Sequence, residues 1–286
     1  MMAVKSAKFS AFESIKHESD VLFEIKGCPF VIKRSGEETT AIDKGHTDMV
    51  YNLLLEFASG GTLDGLIHKS KGHKLPEYDV RRYTRSILEG IQHIHKCDYV
   101  HCDLKPDNIL LVPTTTTSSG GTTFVAKIAD FGLTMKTKVN YSRRRGTPRY
   151  LSPKAFINNK QDQSSDIWSL GCIVFEILTG KSPWDLKPDN PNNLPDVLMF
   201  DHLRTCKIPT GISDVARDFL NSCIAMKSRE RFTAESLLSH PFVAPPQPSK
   251  ECHTKVKLVN SFLGYASGVC CFKPNSDYHA NSAIVQ

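Results

Sequence analysis

A chain of 286 residues with a hydrophobic fraction of 40% has room for one large domain or two lobes, and a buried core is expected. Its net charge of +6 is spread along the chain and peaks at Arg143, Arg144 and Arg145; so short a basic run suits a solvated or phosphate-facing loop, and nucleic acid is not the expected partner. Nine cysteines at irregular spacings, no signal peptide and no apolar run of membrane-spanning length argue against a disulfide framework and stable membrane insertion, and place reduced thiols in the cytoplasm or nucleus.

In chain order, MMAVKSAKF is strand-like, and SIKHESDVLFEI has helical spacing that puts Ile15, Leu22 and Ile25 on one face. FVIKRS and MVYNLLLEF read as further strands. The paired glycines of SGGTLDGLI allow a sharp turn before a short helix, and a longer helix, YDVRRYTRSILEGIQHIHK, follows Pro76 and Glu77. Helices dominate from there. The pattern predicts an α+β fold: a small strand-rich portion and a larger helical one, joined near Glu56 to Gly61, with a cleft between them. HIHKCDYVHC is dense in metal ligands, but His93 and His95 fall on different sides of a helix, so zinc is not expected. VPTTTTSSGGTTFVA, residues 112–126, reads as an extended hairpin loop, and KPDNPNNLP as a turn-rich connector. The chain after Val243 loses helical periodicity despite the apolar patch SFLGYASGVCCF.

YVHCDLKPDNILLV, residues 99–112, gathers a histidine, an aspartate, a lysine and an asparagine between apolar flanks, as a site on a loop would. It gains meaning beside KIADFG, residues 127–132. Asp103 could accept a proton from an attacking hydroxyl, and Lys105 could neutralise charge on a transferred phosphoryl group. Asn108 and Asp130 offer hard oxygen ligands suited to magnesium. This set is equipment for phosphoryl transfer.

With HCDLKPDN followed by DFG, the chain resembles the eukaryotic protein kinases. The resemblance runs from about Ala3 to Val243. It implies a two-lobed fold with an incomplete small β lobe over residues 1–58, a larger helical lobe over 59–243 and a loosely ordered tail over 244–286. It also implies ATP and Mg2+ as cofactors. Lys5 in AVKSA looks like the strand lysine that holds the α- and β-phosphates, and Glu18 like its ion-pair partner. LLLEFASGG resembles the hinge: the backbone around Glu56 and Ala58 would bond the adenine edge, Leu55 would line the back of the pocket, and Leu110 belongs to the same nucleotide-binding set. GTPRYLSPK, SSDIWSLGC and RERF resemble the end of the activation segment, the central buried helix and a late structural arginine. His101, Phe131 and Leu22 look like members of a hydrophobic column between the lobes, and Asp166 like a cap on the catalytic-loop backbone. The Lys105-Pro106 pair and Thr147, which would orient Asp103 and Lys105, resemble the serine/threonine branch. The hinge, the HCD loop and GTPRYLSP look most like plant-type MAP kinase kinase kinases, whose substrate would be a MAP kinase kinase.

Departures from the family pattern carry their own expectations. A glycine-rich loop would precede Lys5, which stands four residues after Met1; neither Gly60-Gly61 nor Gly120-Gly121 can replace it. The phosphate roof is therefore expected to be lacking, with weak catalysis unless a partner covers that face or a longer product exists, and apolar strand faces exposed. A catalytically impaired pseudokinase or scaffold is the alternative function. Cys102 stands where many members have an arginine that grips a phosphorylated loop. It is read as a small filler, and activity is expected not to depend strongly on phosphorylation of the loop, although Ser142, Thr134 and Thr137 stand as candidate phosphorylation sites. Lys154 replaces a glutamate expected to pair with Arg231, so two cations should face each other and Lys154→Glu should stabilise the fold.

Overall fold

The computed structural model describes residues 1–8, 12–41, 49–114, 122–137, 139, 144–181, 208 and 210–244. All lie within the first of two compact units, Met1–Gln247; the second is Pro248–Gln286. The expected connector KPDNPNNLP, the tail, Ser142 and the tip of the 112–126 loop lie outside the described residues.

The N-terminal part is a three-stranded antiparallel sheet of order β1-β3-β2. β1 (Met2–Lys8) alternates strictly, Ala3, Lys5 and Ala7 being more buried than their neighbours, so that period two sends the Lys5 side chain to one face. Lys5 pairs across the ladder with Leu53 of β3 (Met49–Glu56), which is fully buried. Met2 and Val4 are exposed on the other face. Helix α1 (Glu13–Glu24) lies against this sheet through Ile15, Val21 and Leu22, with Ile25 buried just beyond its end, the face that the spacing predicts.

One strand differs from the sequence reading. FVIKRS is not the strand; β2 is Arg34–Ala41, RSGEETTA, exposed along most of its length. It is held by backbone pairing to β3 rather than by an apolar face, and its register shifts between Arg34 and Gly36. The apolar run before it does another task. Val31 forms an isolated bridge to Ile128, Ile32 N–H donates to Ile128 O at 2.9 Å and Ile128 N–H to Phe30 O at 2.9 Å, which staples the two portions together.

The chain crosses to the helical part through Phe57 to Gly61. Gly60 approaches β5 (Ile109–Pro113) so closely that a Cβ there would stand 2.7 Å from Leu111. Thr62 caps α2 (Leu63–Lys69) and bridges to Leu110. Helix α3 (Glu77–Lys96) buries Val80, Tyr83, Ile87, Leu88, Ile91 and Ile94 along one stripe. His93 and His95 do point apart, His93 to Ile25 O at 2.8 Å and His95 to Asp166 at 2.9 Å. After the two-residue strand β4 (Tyr99–Val100), β5 pairs with β6 (Phe124–Ile128) as the predicted hairpin, and β7 (Met135–Lys136) returns to β4. Helix α4 (Pro153–Asn158) precedes α5 (Gln163–Thr179), which is buried on nearly all sides, as a helix at the centre of a lobe must be. α5 opens on an Asp162–Ser165 capping box and closes at Gly180 in the left-handed region, φ 71°. Helices α6 (Asp214–Cys223) and α7 (Ala234–Leu238) complete the described lobe.

Candidate active site

Two clusters of polar side chains are joined through Ala129, whose N–H donates to Asn108 O at 2.9 Å and whose O accepts from the His101 ring at 3.1 Å. In the first, Lys5 Nζ lies 2.6 Å from Glu18 Oε2 and 2.9 Å from Asp130 Oδ1. Glu18 is buried, and its other oxygen accepts the Phe131 N–H at 3.2 Å. Burial alone would lower the Lys5 ammonium; the hydrogen bonds and charges of Glu18 and then Asp130 outweigh it and hold Lys5 above its ordinary value. Burial likewise works to raise Asp130, but Lys5 holds it below the usual carboxylate range. Asp130 sits at φ 62°, a left-handed conformation unusual for a residue other than glycine and typical of functional sites. The backbone there turns from β6 so that the Asp130 side chain reaches Lys5 while the Phe131 ring packs in the core.

The second cluster surrounds Asp103, which is nearly buried. Asp103 Oδ1 accepts two hydrogen bonds from Thr147, from its N–H and its hydroxyl, both at 2.8 Å. Lys105 Nζ lies 3.2 Å from Asp103 Oδ2 and donates to Thr147 Oγ1 at 3.1 Å. Asn108 directs its amide N–H groups at Asp103, at 2.9 Å to the backbone oxygen and 3.2 Å to the carboxylate. Its carbonyl oxygen is then the atom left to meet a cation, as is the Asp130 oxygen that Lys5 does not hold. Two hard oxygens from separate segments suit magnesium, and the donor set fits that ion.

The loop carrying Asp103 is held from behind by α5. Asp166 accepts the N–H groups of His101 at 2.9 Å and Cys102 at 3.1 Å, and the His95 ring N–H at 2.9 Å. That bracing suits Cys102, whose φ of 72° is also left-handed. Burial, and then the Asp166 charge, pushes the Cys102 thiol well up, as befits an inert packed cysteine. The His101 ring donates to Ala129 O at 3.1 Å and meets the Phe131 ring edge-on at 4.9 Å, and Leu22 belongs to the same core. At the hinge, Leu55 and Ala58 pack partly buried against that core with Leu110, while the Glu56 carboxylate is taken by Lys127 at 2.8 Å.

The sequence-predicted residues fall into one cluster of Lys5, Glu18 and Asp130 and another of Asp103, Lys105, Asn108 and Thr147, with Leu55, Ala58 and Leu110 packed on the shared core. Residues 1–243 match the family model described as "Protein kinase domain". The chain belongs to the protein kinase family. Among curated proteins, the kinase is 38% identical to Mitogen-activated protein kinase kinase kinase 20 of Arabidopsis thaliana, over 85% of this chain and 69% of that protein. It is 36% identical to Mitogen-activated protein kinase kinase kinase 17 of the same plant, over 85% of this chain and 62% of that protein. It is 33% identical to Myosin light chain kinase 2, skeletal/cardiac muscle, of Rattus norvegicus, over 76% of this chain and 34% of that protein. A kinase domain implies ATP as phosphoryl donor, with magnesium.

Two expectations for the kinase are corrected. Lys154 does not face Arg231: its Nζ lies 2.6 Å from Asp162, the residue that opens α5. Arg231 instead donates to Ala225 O, Ser164 O and Met226 O and stacks over Trp168 at 4.8 Å. Burial pushes Arg231 down to about 10, which still leaves it cationic at neutral pH. Thr134 is fully buried with its hydroxyl near His101 O, so the folded protein does not present it for phosphorylation. Several structural partners escaped the sequence reading: His95, Asp162, Lys127 and Gln161, whose amide bridges Cys102 O and Arg145 O. Only Asp162, a helix N-cap type just ahead of a helical run, left a local signal.

Proposed function

We propose that this chain is an active serine/threonine kinase that transfers the γ-phosphate of ATP to a protein hydroxyl within a MAP kinase cascade, its substrate a MAP kinase kinase. The observation that carries the reading is the Asp103 carboxylate, held in one orientation by both Thr147 donors and flanked by Lys105, together with the Lys5–Glu18–Asp130 cluster. In this reading Asp103 accepts the proton of the substrate hydroxyl, and Lys105 balances charge on the group in flight. Lys5, fixed by Glu18, positions the α- and β-phosphates. Leu55 would line the back of the adenine pocket with Leu110 on its apolar wall, and the backbone near Glu56 and Ala58 would bond the adenine edge. Asn108 and Asp130 would hold magnesium, which supplies charge neutralisation on the phosphates. Thr147 beside Lys105 supports serine and threonine as acceptors. The cascade assignment rests on relatives whose names make them kinases of MAP kinase kinases.

The deciding experiment is phosphate transfer from Mg-ATP to a generic serine/threonine substrate and to a MAP kinase kinase, with Asp103→Asn as control. Transfer by the full chain that falls by about 10²-fold or more in the control is expected. No transfer from a folded sample would replace the enzyme with a binding or scaffold protein.

A further inference from the structure

Besides Asp130, Lys5 is held by Glu18, which reaches it only from α1, so the seat of α1 decides whether the Lys5–Glu18 pair forms. The apolar face of α1 is non-directional and does not by itself fix the helix along the sheet. On the side of the helical lobe, His17 meets Thr134 O at 2.7 Å and Glu24 accepts the Tyr99 hydroxyl at 2.8 Å; on the side of the sheet, one residue outside the cleft supplies the direction. Glu37 lies on β2, and its Oε2 accepts the hydroxyl of Ser19 at 2.6 Å; Ser19 directly follows Glu18 and is fully buried. The same oxygen accepts the Tyr51 hydroxyl from β3 and lies 2.9 Å from the Arg34 guanidinium. Arg34 Nε in turn donates to Ser19 Oγ at 2.7 Å. The other carboxylate oxygen meets Lys16 of α1 at 3.3 Å, while Lys16 also pairs outward with Asp20 at 2.9 Å. One side chain thus ties two residues of α1 to both strands nearest it.

We infer that Glu37 is a positioning residue for phosphoryl transfer: its carboxylate latches α1 in the seat where Glu18 meets Lys5. This rests on reading the chain as a kinase that uses Lys5 and Glu18. The latch works only while Glu37 is ionised, because four donors need an acceptor with no proton of its own. The hydrogen bonds of Ser19 and Tyr51, then those of Arg34 and Lys16, hold Glu37 at about 2 against the effect of burial. A glutamine keeps the shape but turns one oxygen into a donor that must face another donor.

The test is Glu37→Gln in the full chain, read by amide hydrogen exchange without nucleotide and by steady-state phosphoryl transfer. Exchange in α1 should rise about tenfold while α5 is unchanged, the factor that one lost hydrogen bond to a charged group is worth. Transfer efficiency for ATP should fall by a similar factor. In a Glu18→Gln background the same change should add less than about twofold, because the pair it serves is already gone. Tyr51→Phe removes one donor and should give a smaller rise in α1 exchange, which keeps the inference testable if Glu37→Gln folds poorly. Unchanged α1 exchange, or equal losses in both backgrounds, would overturn it. Exchange needs no catalysis: a latch that loosens α1 in a chain with no transfer would sink the kinase reading and leave Glu37 as the anchor of α1.

Discussion

Thr147 and Asp166 hold the loop that carries Asp103 from opposite sides, and they make different predictions. Thr147 gives Asp103 two hydrogen bonds and receives one from Lys105. Thr147→Val removes the hydroxyl while leaving the N–H, so kcat is expected to drop about tenfold with KM for ATP unchanged, measured in steady-state transfer assays. Asp166 serves three donors with two oxygens in a buried site. Asp166→Asn would set an N–H against an N–H there, and denaturant unfolding should show a loss of about 1–3 kcal/mol. An unaltered midpoint would mean that the backbone of His101 and Cys102 has found other acceptors.

At the scale of elements, the junction of α4 and α5 reverses a sequence expectation. Lys154 neutralises Asp162 at the N-terminus of α5, where a carboxylate also caps the helix. Lys154→Glu would put a second carboxylate beside that of Asp162, which now has the Lys154 ammonium 2.6 Å away. The melting temperature is expected to fall, by about 1–3 °C because both groups are partly exposed. A rise would mean that the new glutamate reaches Arg231 instead. The strand FVIKRS failed for a related reason: apolar character reveals that Val31 and Ile32 are buried, but not whether a strand ladder or a staple between lobes buries them.

Across the whole molecule, acid sensitivity follows from carboxylates that fold into ion pairs. Asp130, Glu37 and Asp162 all lie below their ordinary values: burial opposes the shift in Asp130 and Asp162 but is outweighed by Lys5 and Lys154, while Ser19 and Tyr51 lead for Glu37. A carboxylate with a depressed pKa adds stability that is complete above its unfolded value, about 4, and disappears as pH falls through the folded value. Glu176 works the other way, because burial raises it and its cost is relieved in acid. Glu24 and Glu77 are lowered as well; with these five depressed carboxylates against one raised among the described residues, unfolding free energy should hold near pH 6 and decline steadily from about pH 4.5 to pH 2. A flat profile over that range would show that the ion pairs around Lys5 and Lys154 do not persist in solution.

The sequence by itself determined the α+β class, most of the helices and the chemical set of the cleft. Those signals are local: Asp103, Lys105 and Asn108 fall within six positions, and helical or strand periodicity is written into each segment. Tertiary structure decided which charges meet. His95 finds Asp166 across 71 positions and Lys127 finds Glu56 across 71, while Glu37 gathers donors from two strands and a helix. No spacing rule encodes such pairs, since direction and distance arise only once α1, α5 and the sheet are packed. The choice of Asp162 over Arg231 as the neighbour of Lys154 was settled there too, by where α4 ends and α5 begins.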